Sequence, residues 1–475
     1  RTWLFAVIDG QLQTHEVFRP LENDPDTYSS GISSSAFGLI NRDFAPADRR
    51  ARSLLARMRL MPGVLKEARR NLKHPPRVAT EIALDQMDGN ADIFRDTIPQ
   101  AFAEVKDADL RASVDEACRE VIGALDDYTA FLEREVLPRS TGEYAIGEAE
   151  YLKKLYYDEL IDAPLARLLE VGEADLARNQ AAMREACAAI DPEATPREVI
   201  ARLGERHLAP GELLSTTQGM LSEIVDFLRD RDLLTMPAGT PLHVVETPPF
   251  MRATTTAAMD TPGPFEAPGL NAYYYMTLPN PQWPKEEQAA YMAQWNTPQI
   301  ANLSVHEAYP GHYVQFLLTD QFPTETRKLL WCPSNAEGWA HYCEQMMVEE
   351  GFHAHDPYYR VAQLIDALLR NARVLAGIKL HTGTMSVTEA ADFFEREAYL
   401  SRPGAKAEAW RGTMDPTYGY YTLGKLMVLK LREDAQKAWG SGFSLKRFHD
   451  EFLALGPIPL PLVRQAMLGS VGALL

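Results

Sequence analysis

The chain has 475 residues, which exceeds the usual length of one domain and predicts two or three lobes. Its hydrophobic content of 46% and charged content of 24% are ordinary for a globular protein and exclude a disordered or fibrous class. A formal net charge of -18 repels the phosphates of nucleic acid, so we expect no nucleic-acid partner. Because no apolar run reaches the ~18 to 20 residues that span a bilayer, we also expect no transmembrane segment.

Helical periodicity dominates the first half of the chain. In residues 44–72 the apolar side chains recur at three- and four-residue spacing, which predicts two helices with a break at Pro62-Gly63. Residues 147–161 and 213–234 show the same amphipathic pattern. The first half is therefore predicted to be helical.

A change in composition follows, from Thr235 to about residue 280. This segment is rich in Pro, Gly and Thr and contains two candidate strands, residues 242–247 and 272–278. Helical patterns then return and continue to the end of the chain. We therefore predict a mainly α fold with a helical N-terminal lobe, residues 1–235, and a second helical lobe with a few short strands, residues 236–475.

The segment HEAYPGH, residues 306–312, places two histidines six positions apart with a glutamate beside the first. Six residues of regular helix turn through about 600°, which leaves the two side chains about 120° apart. The Pro-Gly dipeptide resolves this conflict, because proline removes a backbone donor and glycine tolerates positive φ. We therefore predict an irregular turn centred on residues 309–311, with helix resuming near His312. The nitrogens of His306 and His312 would then each lie about 2.1 Å from one zinc ion, and the Glu307 carboxylate would deprotonate water. The alternative is a surface His-Glu pair with an unrelated second histidine.

A second polar group follows in the segment NAEGWAHYCEQMM. Glu337, His341 and Glu344 fall at positions i, i+4 and i+7, which is one stripe of a helix. A glutamate that follows two histidines in this way is the third ligand in glutamate-type zincins, so Glu337 is the candidate. His341 or Glu344 would orient a ligating imidazole. The alternative is a solvated polar stripe.

HEAYPGHYVQ followed by EGWAHYCEQ resembles the bacterial family named domain of unknown function 885. Members of that family pair an HExxPGH segment with a downstream EGWA segment, and they are grouped with zincin-type metallopeptidases. The similarity covers most of the chain. It implies a zincin-like metallohydrolase in which His306, His312 and Glu337 bind Zn²⁺ and Glu307 is the general base.

The later segment EAWRGTMDPTYGYYTLGK extends the resemblance. Glu408, Arg411 and Pro416 match the family's Glu, Arg and Pro, and Tyr421 matches its later tyrosine. The segment reads PTYG where the family has PGQA and is one residue shorter, so Tyr418 is the alternative match to Tyr421. We expect Tyr421 to donate a hydrogen bond to the oxyanion, and Arg411 and Tyr418 to bind substrate. The competing interpretations are packing of the tyrosine and a surface ion pair between Arg411 and Glu408.

These residues together predict a zinc-dependent metallopeptidase that hydrolyses peptide bonds with water activated by Glu307. A zinc amide hydrolase acting on a non-peptide substrate and a catalytically inactive helical binding protein are the alternatives. The sequence begins at Arg1 rather than Met. We expect a soluble bacterial protein that is cytoplasmic, or exported if a leader precedes Arg1, and the oligomeric state stays open.

Overall fold

The computed structural model of this chain describes residues 1–475 apart from residues 41–42, 240, 248–251, 253–255 and 267–269. Helices dominate the described residues, which confirms the predicted mainly α fold. None of the described helices is long and apolar enough to cross a membrane.

Contacts between residues group the chain into two compact units. One unit comprises residues 1–10, 147–247 and 255–475, and the other comprises residues 11–146 and 248–254. This grouping differs from the predicted division after residue 235, because the helices from residue 147 onward pack with the helices that carry the candidate metal ligands. On both sides of residues 248–254, the segment rich in Pro, Gly and Thr belongs to the unit that carries the candidate metal ligands.

The unit of residues 11–146 is helical. After α1 (Thr2–Gln13), its helices are α2 (Pro20–Asn23), α3 (Asp26–Phe37), α4 (Ala47–Met58), α5 (Met61–Asn71), α6 (Arg77–Asp85), α7 (Met87–Asp92), α8 (Ile98–Ala101) and α9 (Ala108–Phe131). The predicted pair of helices in residues 44–72 is confirmed. The break lies at Arg59 and Leu60. Pro62 lies in the first turn of α5, where backbone N–H groups have no partner within the helix, so proline costs no hydrogen bond there. Leu54, Phe94 and Val121 are fully buried in the core of this unit.

The other unit holds the remaining helices and the strands. Its helices are α10 (Gly147–Glu159), α11 (Leu165–Ile190), α12 (Pro196–Glu205), α13 (Leu213–Asp230), α14 (Lys285–Met292), α15 (Thr297–Glu307), α16 (His312–Leu317), α17 (Glu325–Leu329), α18 (Pro333–Glu349), α19 (Pro357–His381), α20 (Val387–Glu397), α21 (Arg402–Met414), α22 (Tyr420–Trp439), α23 (Leu445–Ala454) and α24 (Leu460–Leu468). The most extensive helix contacts join α18 to α22 and α11 to α19. Buried polar groups link these helices: the Lys425 ammonium lies 3.0 Å from Asp175, and Asn179 donates to Asn371 at 2.7 Å.

A three-stranded sheet interrupts the helices of this unit. Its strands are β1 (Leu242–Glu246), β2 (Ala257–Asp260) and β3 (Ala272–Met276), in the order β1-β3-β2. The two predicted strands are confirmed as β1 and β3, which pair in parallel with Val244 opposite Tyr274. β2, which was not predicted, pairs antiparallel to β3 with Met259 opposite Tyr274. This strand has four residues and lacks an apolar alternation long enough to mark it.

Candidate metal centre

The turn between α15 and α16 brings the two histidines of HEAYPGH together. α15 ends at Glu307 and α16 begins at His312, so the backbone leaves the helix over residues 308–311. This confirms the predicted irregular turn and the resumption of helix at His312. The imidazole rings of His306 and His312 have centroids 4.7 Å apart and planes at 86° to one another. Two side chains that a continuous helix would direct apart therefore meet at one place.

Close backbone contacts determine the shape of this turn. Gly311 has φ of -71°, so the expectation that this glycine would need positive φ is wrong. Its requirement is space, because an added Cβ would lie 1.8 Å from the carbonyl oxygen of His306. The Gly311 N–H donates to the carbonyl of Val305 at 3.1 Å. The indole N–H of Trp339 donates to the carbonyl oxygen of Pro310 at 2.9 Å, which ties the turn to α18.

Three side chains from α15, α16 and α18 converge beside this turn. Nε2 of His306 and Nε2 of His312 each lie 3.3 Å from Oε2 of Glu337. Ligand atoms held about 2.1 Å from a tetrahedral zinc ion are about 3.4 Å apart, so these separations fit one such ion. Oε2 of Glu337 is buried and accepts no hydrogen bond from the described residues. An unsatisfied buried carboxylate oxygen facing two imidazole nitrogens is the donor set that a zinc ion would take.

Glu344 fixes the orientation of the first histidine. Its Oε1 lies 2.7 Å from Nδ1 of His306, and its Oε2 lies 3.0 Å from Nδ1 of His341. The guanidinium of Arg370 donates to the same carboxylate at 3.1 Å. Glu344 and His341 were the two residues proposed to orient a ligating imidazole. Glu344 contacts His306 directly, whereas His341 contacts Glu344. A carboxylate on Nδ1 leaves Nε2 of His306 free to face the metal position.

The electrostatics of the cluster agree with this arrangement. Burial raises the pKa of Glu344, but Arg370 and His341 outweigh burial and hold the pKa well below its usual value. Burial lowers the pKa of His341 to about 3, so this imidazole is neutral. Burial and Arg370 act to lower the pKa of His306, yet the carboxylates of Glu337 and Glu344 raise it to about 9. In the metal-free protein His306 therefore holds a proton that a bound metal would have to displace.

Glu307, the proposed general base, lies at the end of α15 next to the sheet. Its side chain is half-buried, whereas its neighbour His306 is buried. Burial, followed by the charge of Glu307, raises the pKa of the Tyr274 hydroxyl on β3. The Glu307 carboxylate is therefore near the central strand and retains access to water.

A close crossing of α18 and α22 places two tyrosines near Glu337. A Cβ added at Gly338 would lie 2.5 Å from the backbone carbonyl carbon of Gly424, so the two helices touch at their glycines. Tyr420 and Tyr421 lie about one helical turn before Gly424. Burial, Tyr421 and the charge of Glu337 are among the causes that raise the pKa of Tyr420. Tyr420 stacks on Tyr421 with ring centroids 4.8 Å apart. Both rings are therefore associated with Glu337, the candidate metal ligand.

Tyr418 occupies a different environment from the one expected of a substrate-binding residue. Its side chain is fully buried. A Cβ at Gly412 would lie 2.5 Å from its hydroxyl, and a Cβ at Gly377 would lie 3.0 Å from its ring. The hydroxyl donates to the carbonyl oxygen of Glu408 at 3.5 Å. The structure thus corrects the substrate-binding assignment, since a ring enclosed by two helices has no surface for a substrate.

Arg411 and Glu408 also differ from one of the sequence interpretations. Glu408 accepts two hydrogen bonds from Arg373, at 2.7 and 2.8 Å, and is not the partner of Arg411. Arg411 instead lies 3.8 Å from Asp415, and both side chains are more than a third exposed. The competing interpretation, an ion pair between Arg411 and Glu408, is therefore wrong, and Arg411 remains accessible to a ligand.

Three residues of this site were missed by the sequence analysis. Arg370 and Arg373 lie in α19, within the largely apolar run LIDALLRNARVLAGI. Two arginines three positions apart in a buried helix are a usable signal, because buried guanidinium groups need carboxylate partners. Tyr420 carries no comparable signal, since its proximity to Glu337 depends on the helix crossing.

Comparison with known proteins supplies the family but no activity. The solved structure described as "a putative lipoprotein of unknown function from Shewanella oneidensis" is similar to this chain, with 26% identity and a TM-score of 0.81 over 97% of this chain and 86% of that one. A second structure, described as "the putative lipoprotein from Colwellia psychrerythraea", shares the fold, with 21% identity and a TM-score of 0.77 over 90% and 77% of the two chains. No curated protein matches. The model of the family described as "Bacterial protein of unknown function (DUF885)" matches residues 5–467, and the chain belongs to that family.

Proposed function

We propose that this chain is a zinc-dependent peptidase. The observation that carries the proposal is the convergence of His306, His312 and Glu337, with both Nε2 atoms 3.3 Å from Oε2 of Glu337. Zinc held by these residues would act as a Lewis acid on the substrate carbonyl and lower the pKa of water. Three protein ligands, rather than four, are typical of catalytic zinc sites, which keep a position open for chemistry.

The neighbouring residues supply the remaining roles. Glu307 accepts a proton from the attacking water and passes it to the leaving amine, a role that its half-buried position beside His306 supports. Tyr421 donates a hydrogen bond to the oxygen on which negative charge develops, a role supported by its stacking on Tyr420, whose pKa the charge of Glu337 helps to raise. Glu344 is a positioning residue, because it touches His306 and no reacting atom.

The sheet favours a peptide over another amide. β2 pairs with β3 and is an end strand of the sheet that the described strands form, in the order β1-β3-β2. Its four residues are half-buried. An extended peptide can add to such an edge through main-chain hydrogen bonds, and Tyr274 of β3 lies close to Glu307.

Metal analysis and a peptide library test the proposal together. The parent should bind about one zinc per chain, His312→Ala should lose it, and His355→Ala, which alters an exposed histidine, should keep it. Zinc retained by His312→Ala at the affinity of the parent would remove the ligand assignment.

The zinc-loaded parent should cleave members of a mixed peptide library. Hydrolysis confined to non-peptide amides would make the chain an amide hydrolase of another kind. Peptide binding without cleavage, unchanged in Glu307→Gln, would make it a binding protein.

We also propose that the chain acts outside the cytoplasm. The support is that the two similar solved structures named above are described as putative lipoproteins. Fractionation of cells that express the full-length protein tests this, and recovery in the cytoplasmic fraction would contradict it.

A further inference from the structure

Three arginines surround Tyr421. The Cζ atoms of Arg370 and Arg373 lie 5.6 and 5.2 Å from the centre of its ring. Burial and Arg373 act to lower the pKa of the Arg411 guanidinium, whereas Tyr421, partly through a hydrogen bond, acts to raise it. Three guanidinium groups therefore lie around Tyr421. Tyr421 stacks on Tyr420, and the charge of Glu337 is one of the causes that raise the pKa of Tyr420.

Two of these arginines are committed to carboxylates. Arg370 lies 3.0 Å from Glu344, and its side chain is 12% exposed. Arg373 holds Glu408 with two parallel hydrogen bonds, and its side chain is 10% exposed. A buried guanidinium would lose stabilising ion pairs if it exchanged these partners for a ligand, so neither arginine is available to bind one.

Arg411 differs from both in its partner and its exposure. Its side chain is 38% exposed, and its carboxylate neighbour, Asp415, lies at 3.8 Å. Charge-assisted hydrogen bonds are about 2.7 to 2.9 Å long, so Asp415 leaves most of the donors of Arg411 unused. Among the three, Arg411 is thus the guanidinium that can receive an anion from solvent.

We propose that Arg411 binds the C-terminal carboxylate of a peptide substrate, which makes the chain an exopeptidase that cleaves near the C-terminus. The inference rests on the proposed function, since it concerns a peptide held at His306, His312 and Glu337. A guanidinium presents parallel donors that match a carboxylate. Every unmodified peptide has a terminal carboxylate, whereas an acidic side chain would restrict the site to particular sequences.

Matched peptides provide the kinetic test. A library of N-acetylated peptides is made in three forms: the free acid, the C-terminal amide, and the amide with a terminal Asp or Glu. For the free acids, Arg411→Gln should raise KM by about 10- to 100-fold with a smaller change in kcat, and Arg411→Lys should recover part of the loss. Arg402→Gln is the matched control, because Arg402 is an exposed arginine of the same helix, paired with Asp392 and Glu395.

A binding measurement removes the dependence on turnover. In zinc-loaded Glu307→Gln, calorimetry should show free acids binding about 10- to 100-fold more tightly than their amides, and adding Arg411→Gln should abolish that difference. Equal cleavage and binding of acids and amides would overturn the inference and leave a zinc peptidase. Amides that end in an acidic residue and behave like free acids would overturn the C-terminal assignment. Preferential binding of free acids without any cleavage would support Arg411 and refute the proposed peptidase.

Discussion

Glu344→Gln is expected to weaken zinc binding although Glu344 is not a ligand. The carboxylate is fully buried and accepts from His306 through one oxygen and from His341 and Arg370 through the other. Glutamine keeps the size of the side chain but replaces one acceptor by an NH₂ donor. In one orientation this donor faces His341 and Arg370, and in the other it faces Nδ1 of His306. In either orientation, the NH₂ group of glutamine faces another hydrogen-bond donor.

The size of the effect follows from those contacts. Loss of a carboxylate that orients a metal-binding histidine costs about 10- to 100-fold in metal affinity. Breaking a buried ion pair costs about 3–5 kcal/mol of stability, because the remaining charge is left uncompensated. Asp366 is a second negative charge acting on Arg370, so we expect the lower end, about 3 kcal/mol.

Competition with a chromophoric chelator measures the zinc affinity, and denaturant unfolding of the metal-free protein measures the stability. Glu349→Gln is the matched control, because Glu349 lies in the same helix and pairs with Arg432 while 37% exposed. It should leave zinc affinity unchanged and alter stability by less than about 1 kcal/mol. A folded Glu344→Gln protein that binds zinc as tightly as the parent would refute the positioning role.

Three further outcomes are expected. Glu307→Gln should keep one zinc per chain and lose about 10²- to 10⁴-fold in turnover, because the proton acceptor is gone; loss of zinc in metal analysis would instead make Glu307 a ligand. Gly338→Ala should destabilise the protein by about 1–3 kcal/mol, since its Cβ would lie 2.5 Å from the backbone of Gly424, whereas Gly219→Ala meets open space and should be neutral or stabilising by denaturant unfolding. Zinc affinity should rise about tenfold per pH unit above pH 7, because zinc displaces a proton from His306. The rise should level off above about pH 9, where His306 has lost that proton. Equal zinc affinity at pH 7 and pH 9 would contradict this. In the metal-free protein the same proton stabilises the fold fully below the unfolded pKa of about 6.5, and this contribution is lost as pH rises through 9.

The sequence was sufficient where a local rule determined the outcome. The turn over residues 309–311 follows from helix geometry, because six residues of regular helix cannot direct two histidines to one point. The positions of Glu337 and Glu344 on one helix follow from their spacing. The two strands that have five residues in the structure were predicted from their β-branched and aromatic residues, and the four-residue strand was not.

Long-range packing determined what local rules missed. Tyr418 and Tyr420 look equivalent in the sequence PTYGYY, yet one is enclosed between glycines and the other lies near Glu337. The choice between Arg373 and Arg411 as the partner of Glu408 depends on how α19 meets α21. Such choices are set by the docking of helices that are distant in sequence, for which a single sequence has no periodic signal.

Gly311 and Gly338 explain why the HEAYPGH and EGWA segments contain glycine beside the candidate metal ligands. Gly311 meets the carbonyl oxygen of His306, and Gly338 meets the backbone of Gly424, so each allows main chain to touch main chain where a side chain would intervene. One contact sets the distance between the two imidazoles, and the other sets the distance between Glu337 and the tyrosines of α22. Packed backbone cannot rotate away as a side chain can, so both distances are held by rigid elements. A site preorganised in this way would need little rearrangement to bind the proposed zinc ion, since each histidine nitrogen already lies 3.3 Å from the glutamate oxygen.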